Sequence, residues 1–376
     1  MPDTAQRIFI DASMASTGGG VTYLVNLLPR LAALAPERRF RVVLRSPRVQ
    51  LPDLPNLEVD RLPEAGAVTR ILDAQTRMRA LARRWRAEIY FATAELLPLR
   101  PHCPAIASFR NPNVFTSLDQ GWYAYQVWRL AALKQLARWS ARGCSRVLFV
   151  SRDSARWIGD SIGLPERKRS VVHHGVDPDR FERRGEPPLD RPYILSVGSV
   201  YRYKNYVRLI EAWHELARSR TEPPDLAIVG DDQDPDYRRK MEAARDAAGD
   251  LSPRIHLVGA VPYPQIPTWY AHARLFVFPS YLETFGHPLL EAMSAGVPVL
   301  AGDIPVSREV AGDAARYADP HDTGALAGAM AALLDDPAAA QALVERGHTR
   351  VAEFSWDRSA RAHLALFDAS LARERG

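Results

Sequence analysis

Residues 7–28 have the sequence RIFIDASMASTGGGVTYLVNLL, which predicts a strand, a tight turn and a helix in that order. The apolar run Arg7–Asp11 is typical of a buried strand, and Gly18, Gly19 and Gly20 lie in the turn that follows. The leucines beyond the turn recur at helical spacing, at Leu24, Leu27, Leu28 and Leu31. A strand that leads through a glycine-rich turn into an amphipathic helix is the opening unit of a doubly wound α/β sheet.

The same alternation continues along the first half of the chain, where short β-rich runs are separated by helical patterns. The predicted strands are residues 40–44, 87–91, 106–109 and 146–150, and the predicted helices are residues 67–86 and 121–143. Strands that alternate with helices pair in the same direction, so the pattern predicts a parallel sheet.

The pattern restarts after a polar, proline-rich linker at residues 183–190. The next predicted strands are residues 193–197, 226–229, 255–258, 275–278 and 298–301, and the helices between them are 206–218, 236–247 and 288–295. A chain of 376 residues exceeds the length at which one core keeps growing. We therefore predict two Rossmann-like domains: residues 1–182 with a closing helix at 357–376, and residues 191–356.

The charge is distributed unevenly between the two halves. Residues 1–180 contain 27 Lys and Arg against 16 Asp and Glu, a net charge of +11, whereas residues 181–376 carry −6. This asymmetry predicts that the first half meets an anionic partner, such as a phospholipid surface or a phosphorylated acceptor. The alternative is an arginine-rich set of solvated helix faces. Nucleic-acid binding is disfavoured because no recognised module accompanies the charge.

Two helical patterns of the first half mix cations with aromatic residues. One carries Arg70, Arg77, Arg79, Arg83, Arg84 and Arg86, and the other carries Trp122, Tyr123, Tyr125, Trp128, Arg129, Lys134, Arg138, Trp139 and Arg142. Such residues suit a bilayer interface, although the aromatic rings could equally pack into the domain core.

The remaining composition favours a cytoplasmic protein. Cys103 and Cys144 are the only cysteines, too few for a disulfide framework. The N-terminus lacks the pattern of a secretory leader, and no apolar run is long enough to span a bilayer. We expect a cytoplasmic location, with peripheral contact at the inner face of the plasma membrane.

Residues 279–298, PSYLETFGHPLLEAMSAGVP, contain the most informative pattern for function. They predict a strand that ends at Phe278, a loop with Glu283 and Gly286, and a helix that starts near Pro288. The helix start is suited to a diphosphate, and two carboxylates eight residues apart, Glu283 and Glu291, can accept hydrogen bonds from sugar hydroxyls. The alternatives are helix-dipole roles for both acids and a plain turn at the glycine.

The sequence ETFGHPLLEAMSAGVPV at residues 283–299 resembles the Glu-x7-Glu signature of glycosyltransferase family 4. Further segments occur in the family's order: residues 149–154, 174–181, 197–199, 204–205, 209–212, 229–230, 257–259 and 354–356. The resemblance implies a GT-B fold, in which two Rossmann-like domains face a cleft. It also implies metal-independent, retaining transfer of a hexose such as mannose from a GDP- or UDP-sugar. The acceptor would be a glycan or a polyprenyl-diphosphate-linked sugar in surface polysaccharide or glycolipid synthesis.

The same resemblance assigns roles on the donor side. Glu291 would hold the ribose hydroxyls, Glu283 would contact the transferred sugar, and Lys204 would face the leaving diphosphate, whose growing negative charge a fixed cation stabilises. Arg202 is a candidate second cation, displaced by one residue from its usual place in the family. The other donor-binding candidates are Gly18, Gly19, Gly20, Ser199, Val261, Thr284, Phe285, Gly286 and His287.

The acceptor side departs from the family pattern. Many members carry a histidine after the strand at residues 106–109, where this chain has Arg110 and Asn111. Either residue could supply hydrogen bonds to the acceptor, and an arginine suits an anionic one. His174 is a further candidate for this side, with a structural turn as the alternative.

Two other functional classes also fit the sequence. A GT-B sugar-nucleotide 2-epimerase would need no separate acceptor, and a non-catalytic sugar-nucleotide-binding subunit would need no intact chemistry. No resident cofactor or metal is expected: the acidic loop 231–236 lacks the glycine and distal glutamate of a calcium loop, and no Cys/His cluster offers a zinc site.

Overall fold

The computed structural model describes residues 5–15, 18–116, 124–182 and 185–375. The residues of the predicted turn, aromatic helix and linker that lie outside this range are Ser16, Thr17, Trp122, Tyr123, Arg183 and Arg184. The side chain of Tyr125 is also outside the described part. The chain divides into two compact units: unit 1 is Met1–Gly175 with Trp356–Gly376, and unit 2 is Val176–Ser355.

Unit 1 is built on a parallel sheet that has seven strands among the residues described, in the order β3-β2-β1-β4-β5-β6-β7. The strands are β1 (Arg7–Asp11), β2 (Arg39–Leu44), β3 (Leu57–Arg61), β4 (Ile89–Ala92), β5 (Ala105–Phe109), β6 (Arg146–Phe149) and β7 (Arg169–Val171). The predicted strands of this half are all present. β3 and β7 were not predicted, because LEVDR and RSV are short edge strands without an apolar run.

The helices of unit 1 cover both faces of this sheet. They are α1 (Gly18–Leu34), α2 (Ala67–Gln75), α3 (Arg77–Arg84), α4 (Ala124–Gly143), α5 (Arg152–Ser161) and, from the end of the chain, α13 (Trp356–Arg375). The predicted leucine stripe of α1 is fully buried, and α13 packs against α1. The single helix predicted at 67–86 is wrong: it breaks at Thr76, which has φ −113° and ψ −74°. None of the described helices is both long and apolar enough to cross a membrane.

Unit 2 repeats the plan with a parallel sheet whose described strands have the order β10-β9-β8-β11-β12-β13. The strands are β8 (Tyr193–Val197), β9 (Asp225–Val229), β10 (Ile255–Gly259), β11 (Leu275–Phe278), β12 (Val299–Gly302) and β13 (Arg316–Ala318). The helices are α6 (Tyr206–Arg218), α7 (Pro235–Asp246), α8 (Ile266–Ala271), α9 (His287–Ser294), α10 (Pro305–Ala311), α11 (Thr323–Asp335) and α12 (Pro337–Val351).

The boundary between the units differs from the one predicted. Residues 176–182, assigned from the sequence to the first domain, belong to unit 2. The physical reason is packing: Phe181 is buried with its ring 5.8 Å from that of Tyr270, and the Val176 N–H donates to the carbonyl of Phe354. Residues 185–190, which the sequence assigned to a linker, are likewise part of unit 2.

Each sheet has one point at which the strand order reverses. In unit 1 it lies between β1 and β4, and in unit 2 it lies between β8 and β11. The loops that leave neighbouring strands at such a point diverge to opposite faces, which opens a crevice at the carboxyl edge where ligands of doubly wound proteins bind.

Candidate active site

The crevice of unit 2 holds the most concentrated set of predicted site residues. Lys204 lies in a short 3-10 helix after β8, and Glu283 lies in the loop after β11. Because β8 and β11 are hydrogen-bonded neighbours, the two loops leave the sheet side by side. The Lys204 Nζ lies 2.5 Å from Glu283 Oε1, and both side chains are buried. A cation and a carboxylate are thus paired at the position where a ligand is expected.

Asn205 fixes the position of Lys204. Its backbone is left-handed, with φ +62° and ψ +28°, which turns the chain from the 3-10 helix into α6. Its side-chain amide donates to the carbonyl oxygens of Pro279, at 3.1 Å, and Pro320, at 2.5 Å. These bonds tie the loop after β8 to the loops after β11 and β13. The ammonium group of Lys204 also lies 4.9 Å from the centroid of the Phe278 ring.

Glu291 lies on α9 and is only 8% exposed. Its Oε2 accepts a hydrogen bond of 3.0 Å from the hydroxyl of Tyr270. Burial raises the pKa of Glu291 to about 7, against the lowering effects of the Tyr270 hydrogen bond and the Lys204 charge. The carboxylate is therefore close to half-ionised at neutral pH, and a ligand that donates hydrogen bonds to it would favour the charged form.

The start of α9 has the geometry expected of an anion site. Gly286, the N-cap, has φ +90° and ψ +52°, a backbone conformation that residues with a Cβ rarely adopt. The first N–H groups of a helix lack intrahelical acceptors and carry its positive dipole end. Phe285 and Thr284 are buried beside the cap, and the His287 ring lies 5.2 Å from that of Phe285.

The loops after β8 and β9 approach each other closely. A Cβ added to Gly230 would lie 1.9 Å from the carbonyl oxygen of Gly198, so only glycine fits there. Ser199 donates to Asp231 at 2.5 Å, and Arg202 is held by Asp234, with Nε and Oδ2 2.9 Å apart. The predicted second cation is therefore compensated by a carboxylate that sequence reasoning missed.

Val261, the remaining donor-side candidate, follows β10 and is half-buried. It lies on the same carboxyl edge as Ser199 and Lys204, because all three follow parallel strands of one sheet. The predicted donor-side residues of unit 2 thus lie in the loops at one edge of the sheet or, for His287 and Glu291, on α9, which follows one of these loops.

The candidates of unit 1 also lie at a carboxyl edge. Gly18, Gly19 and Gly20 form the first turn of α1, and a Cβ added to Gly19 would find no described atom within 4 Å. Folding of the described part does not require glycine at that position, which is consistent with a ligand that approaches closely.

Arg110 and Asn111 follow β5 directly. The Arg110 guanidinium lies 4.1 Å from the centroid of the Tyr23 ring and donates through Nη2 to the Thr93 carbonyl. The side-chain oxygen of Asn111 accepts the N–H of Asn113 and caps a 3-10 helix. The Oε1 of Glu95, which the sequence did not single out, accepts the N–H groups of Arg110 and Asn111 at 3.0 and 2.9 Å.

A buried polar cluster contacts Tyr23, the residue whose ring Arg110 covers. The His363 Nδ1–H donates to the Ser359 carbonyl, so Nε2 is the acceptor for the Tyr23 hydroxyl at 2.7 Å. Burial lowers the pKa of His363 to about 4, which keeps the ring neutral. His174, the other acceptor-side candidate, is buried with its ring 5.0 Å from that of Tyr23. These contacts join the chain-terminal helix α13 to the edge of the sheet.

Two doubly wound units with a cation–carboxylate pair and a helix start at one crevice define the GT-B glycosyltransferase class. Residues 17–180 match the family model described as Glycosyltransferase Family 4, and residues 178–350 match the model described as Glycosyl transferases group 1. The chain belongs to glycosyltransferase family 4, and the predicted family and fold class are confirmed.

The relatives of known activity match only parts of the chain. An O-antigen chain mannosyltransferase B of Escherichia coli is 42% identical over 171 residues, covering 44% of this chain and 42% of the relative. A 2-deoxystreptamine glucosyltransferase of Streptomyces kanamyceticus is 30% identical over 252 residues, covering 63% of this chain and 64% of the relative. The chain therefore aligns with less than two thirds of the length of these relatives.

Solved structures match the chain almost throughout. Sucrose-phosphate synthase of Thermosynechococcus elongatus is 19% identical with a TM-score of 0.76, and the match covers 98% of this chain and 100% of that one. The Anabaena protein HepE, solved in complex with UDP and glucose, is 15% identical with a TM-score of 0.72, over 97% of this chain and 100% of that one. At these identities the likeness concerns the fold alone.

Proposed function

We propose that this chain transfers a hexose, with retention of anomeric configuration, from a nucleoside-diphosphate sugar to a hydroxyl of a glycan or lipid-linked acceptor. Unit 2 carries most of the donor-side residues, and unit 1 carries the acceptor-side residues together with the glycine turn Gly18–Gly20. Mannose is the favoured sugar, because a mannosyltransferase of O-antigen synthesis is 42% identical to part of this chain. A nucleotide-sugar donor is supported by the UDP complex of a protein with the same fold.

The observation that carries the proposal is the arrangement at the switch point of unit 2. Lys204, Glu283 and Glu291 come from separate elements. Burial raises the pKa of Glu291, and the Lys204 of the Lys204–Glu283 pair is close enough for its charge to oppose that rise. A structural ion pair alone would not require a second buried carboxylate and a left-handed glycine at a helix start. A donor with a diphosphate and two sets of sugar hydroxyls uses all of these groups at once.

The chemistry follows from the charges. The bond between the sugar C1 and the diphosphate oxygen breaks, and the released diphosphate gains negative charge. Lys204 stabilises this charge once the bound donor has replaced Glu283 as the partner of its ammonium group. A bond from the acceptor oxygen to C1 forms on the same face. The acceptor proton passes to an oxygen of the leaving diphosphate, so the products are the glycoside and a nucleoside diphosphate.

In this mechanism Lys204 and the start of α9 stabilise the charge of the leaving diphosphate. A divalent cation has this role in other transferases. Activity is therefore expected to be independent of added metal and unaffected by chelators. Transfer is favoured over 2-epimerisation because the relatives described above are transferases.

Peripheral contact of unit 1 with an anionic membrane is the second part of the proposal. Trp128 and Trp139 of α4 are 77% and 44% exposed. These two rings therefore do not pack into the domain core, which was the alternative to a membrane contact. Three helical turns separate them, which puts both rings on one face, with Arg129 and Arg138 exposed close by. Aromatic rings flanked by cations favour a headgroup region.

The test of membrane contact is sedimentation with vesicles of phosphatidylcholine alone and with one-third phosphatidylglycerol. The wild-type protein is expected to bind the anionic vesicles, and the double change Trp128→Ser and Trp139→Ser is expected to reduce this binding at least fivefold. Equal binding of the variant would remove α4 from the proposal.

The test of transfer is a titration with GDP-, UDP-, dTDP- and ADP-hexoses in the presence of EDTA, followed by thermal unfolding and nucleotide release. One donor at 100 times its Kd should stabilise the protein by about 2.7 kcal/mol. Glu291→Ala should abolish this stabilisation. Glu211→Ala, at an exposed position of α6 in the same unit, should retain it. Absence of any response in a folded wild-type protein would refute the donor site.

A further inference from the structure

Glu95 lies in the loop that follows β4, at the strand-order reversal of unit 1. The neighbouring strand is β1, and the N–H of Thr93 donates to the carbonyl of Asp11 where the two strands end. Ligands of doubly wound sheets bind in this crevice. The half-buried carboxylate of Glu95 can therefore reach a ligand bound to unit 1.

The two oxygens of this carboxylate are used differently. Oε1 accepts the main-chain N–H groups of Arg110 and Asn111, at 3.0 and 2.9 Å. Oε2 receives no hydrogen bond from any residue in the described part of the chain. Two N–H groups on one oxygen hold the side chain in one orientation, so Oε2 is a preoriented acceptor.

The guanidinium of Arg110, the cation next to Glu95, makes its hydrogen bond to another residue. The Arg110 guanidinium donates to the Thr93 carbonyl and covers the Tyr23 ring. Beside this cation, whose charge interacts with that of Glu95, Oε2 is an acceptor that suits a hydroxyl and disfavours direct contact with a phosphate oxygen.

We propose that Glu95 is an acceptor-binding residue, whose Oε2 accepts a hydrogen bond from a hydroxyl of a neutral sugar acceptor. This inference rests on the proposed transferase function. It predicts that acceptor recognition in unit 1 selects an uncharged sugar hydroxyl rather than the anionic group that an arginine at position 110 suggests from sequence.

Glu95→Gln separates this role from a structural one. The glutamine carbonyl can still accept both N–H groups, so the loop after β5 keeps its support, but the second oxygen becomes an NH₂ group that cannot accept. Glu88→Gln is the matched control. Glu88 precedes the same strand, and its carboxylate accepts the N–H of Arg7 at the opposite edge of the sheet.

The measurements are donor-induced thermal stabilisation, donor hydrolysis, and transfer to a panel of octyl α- and β-hexosides and hexose 6-phosphates. For Glu95→Gln we expect unchanged donor stabilisation and hydrolysis, with kcat/KM for the neutral hexoside lowered at least tenfold, mainly through KM. Glu88→Gln should match the wild type.

Wild-type kcat/KM in Glu95→Gln, or a preference for the hexose 6-phosphates that the variant retains, would overturn the inference while the transferase function stands. Equal loss of transfer and hydrolysis would overturn it in favour of a purely structural role. A wild-type protein that binds a donor but transfers to no acceptor of the panel would remove the proposed function and this inference with it.

Discussion

The buried carboxylate of Glu291 should make donor binding depend on pH. Burial raises its pKa from 4.5 to about 7, and the family resemblance assigns it to the ribose hydroxyls, which donate hydrogen bonds to the ionised form. Protonation removes an acceptor, so the donor must displace a proton from Glu291 when it binds below pH 7. The donor is therefore titrated at several pH values, and Glu291→Gln is the variant in which this titration is absent.

The magnitude follows from the pKa. With a value of about 7, roughly one-tenth of Glu291 is ionised at pH 6 and roughly nine-tenths at pH 8. Donor affinity should therefore fall about tenfold from pH 8 to pH 6, or about 1.4 kcal/mol. Folding stability changes with the opposite sign. A raised folded-state pKa stabilises the fold below pH 4.5, and roughly 3 kcal/mol of this is lost as pH rises from 4.5 through about 7.

The assay is calorimetric titration of the donor at pH 6, 7 and 8 in buffers of different ionisation enthalpy, which reports the protons released. Tyr270→Phe should move the midpoint upward, because the tyrosine hydroxyl is the hydrogen bond that lowers this pKa. Glu291→Gln should bind weakly at every pH. A wild-type Kd that differs less than twofold between pH 6 and pH 8 would show that donor binding does not require the ionised form of Glu291.

Three further predictions concern the other elements of the site. Lys204→Met should lower kcat by about 10²–10³ while donor Kd changes less than tenfold; nucleotide release measures it, and a kcat within threefold of wild type would contradict the role. Gly19→Ala should leave the thermal midpoint unchanged and weaken donor binding at least tenfold, and an unchanged Kd would show that no ligand approaches there. Asn205→Ala should cost about 2 kcal/mol in urea unfolding, from two lost hydrogen bonds and a left-handed backbone. Asn205→Gly should cost less, and equal losses would exclude the backbone contribution.

Local patterns were sufficient to predict much of the fold. The boundaries of α6 and of strands β8 and β11 agree with those predicted. The helix has an apolar helical period, and the two strands are short buried runs that end at Gly198 and Pro279. The helix predicted at 67–86 failed because its charge pattern continues across Thr76, where the backbone breaks into two helices. Short edge strands such as β3 gave no signal, since an edge strand that is half exposed needs no apolar run.

The donor side could also be anticipated, but only as separate segments. The sequence singles out Glu283 and Glu291 by their spacing, and Lys204 by its resemblance to the family. It contains no sign that Lys204 and Glu283 form a pair, because 79 residues separate them. The order of strands in the sheet makes β8 and β11 neighbours and thereby joins their loops.

Residues that act through one contact were beyond prediction. Tyr270 and Glu95 belong to no pattern, and nothing in the acidic loop 231–236 marks Asp234 as the partner of Arg202. The importance of all three depends on which atom lies within 3.0 Å of them. Apolar periodicity, turn residues and helix starts are local properties of the sequence. The sequence by itself therefore determines the two Rossmann-like units and the family. The partners, burial and pKa of the site carboxylates arise from packing between distant segments, and only the tertiary structure decides them.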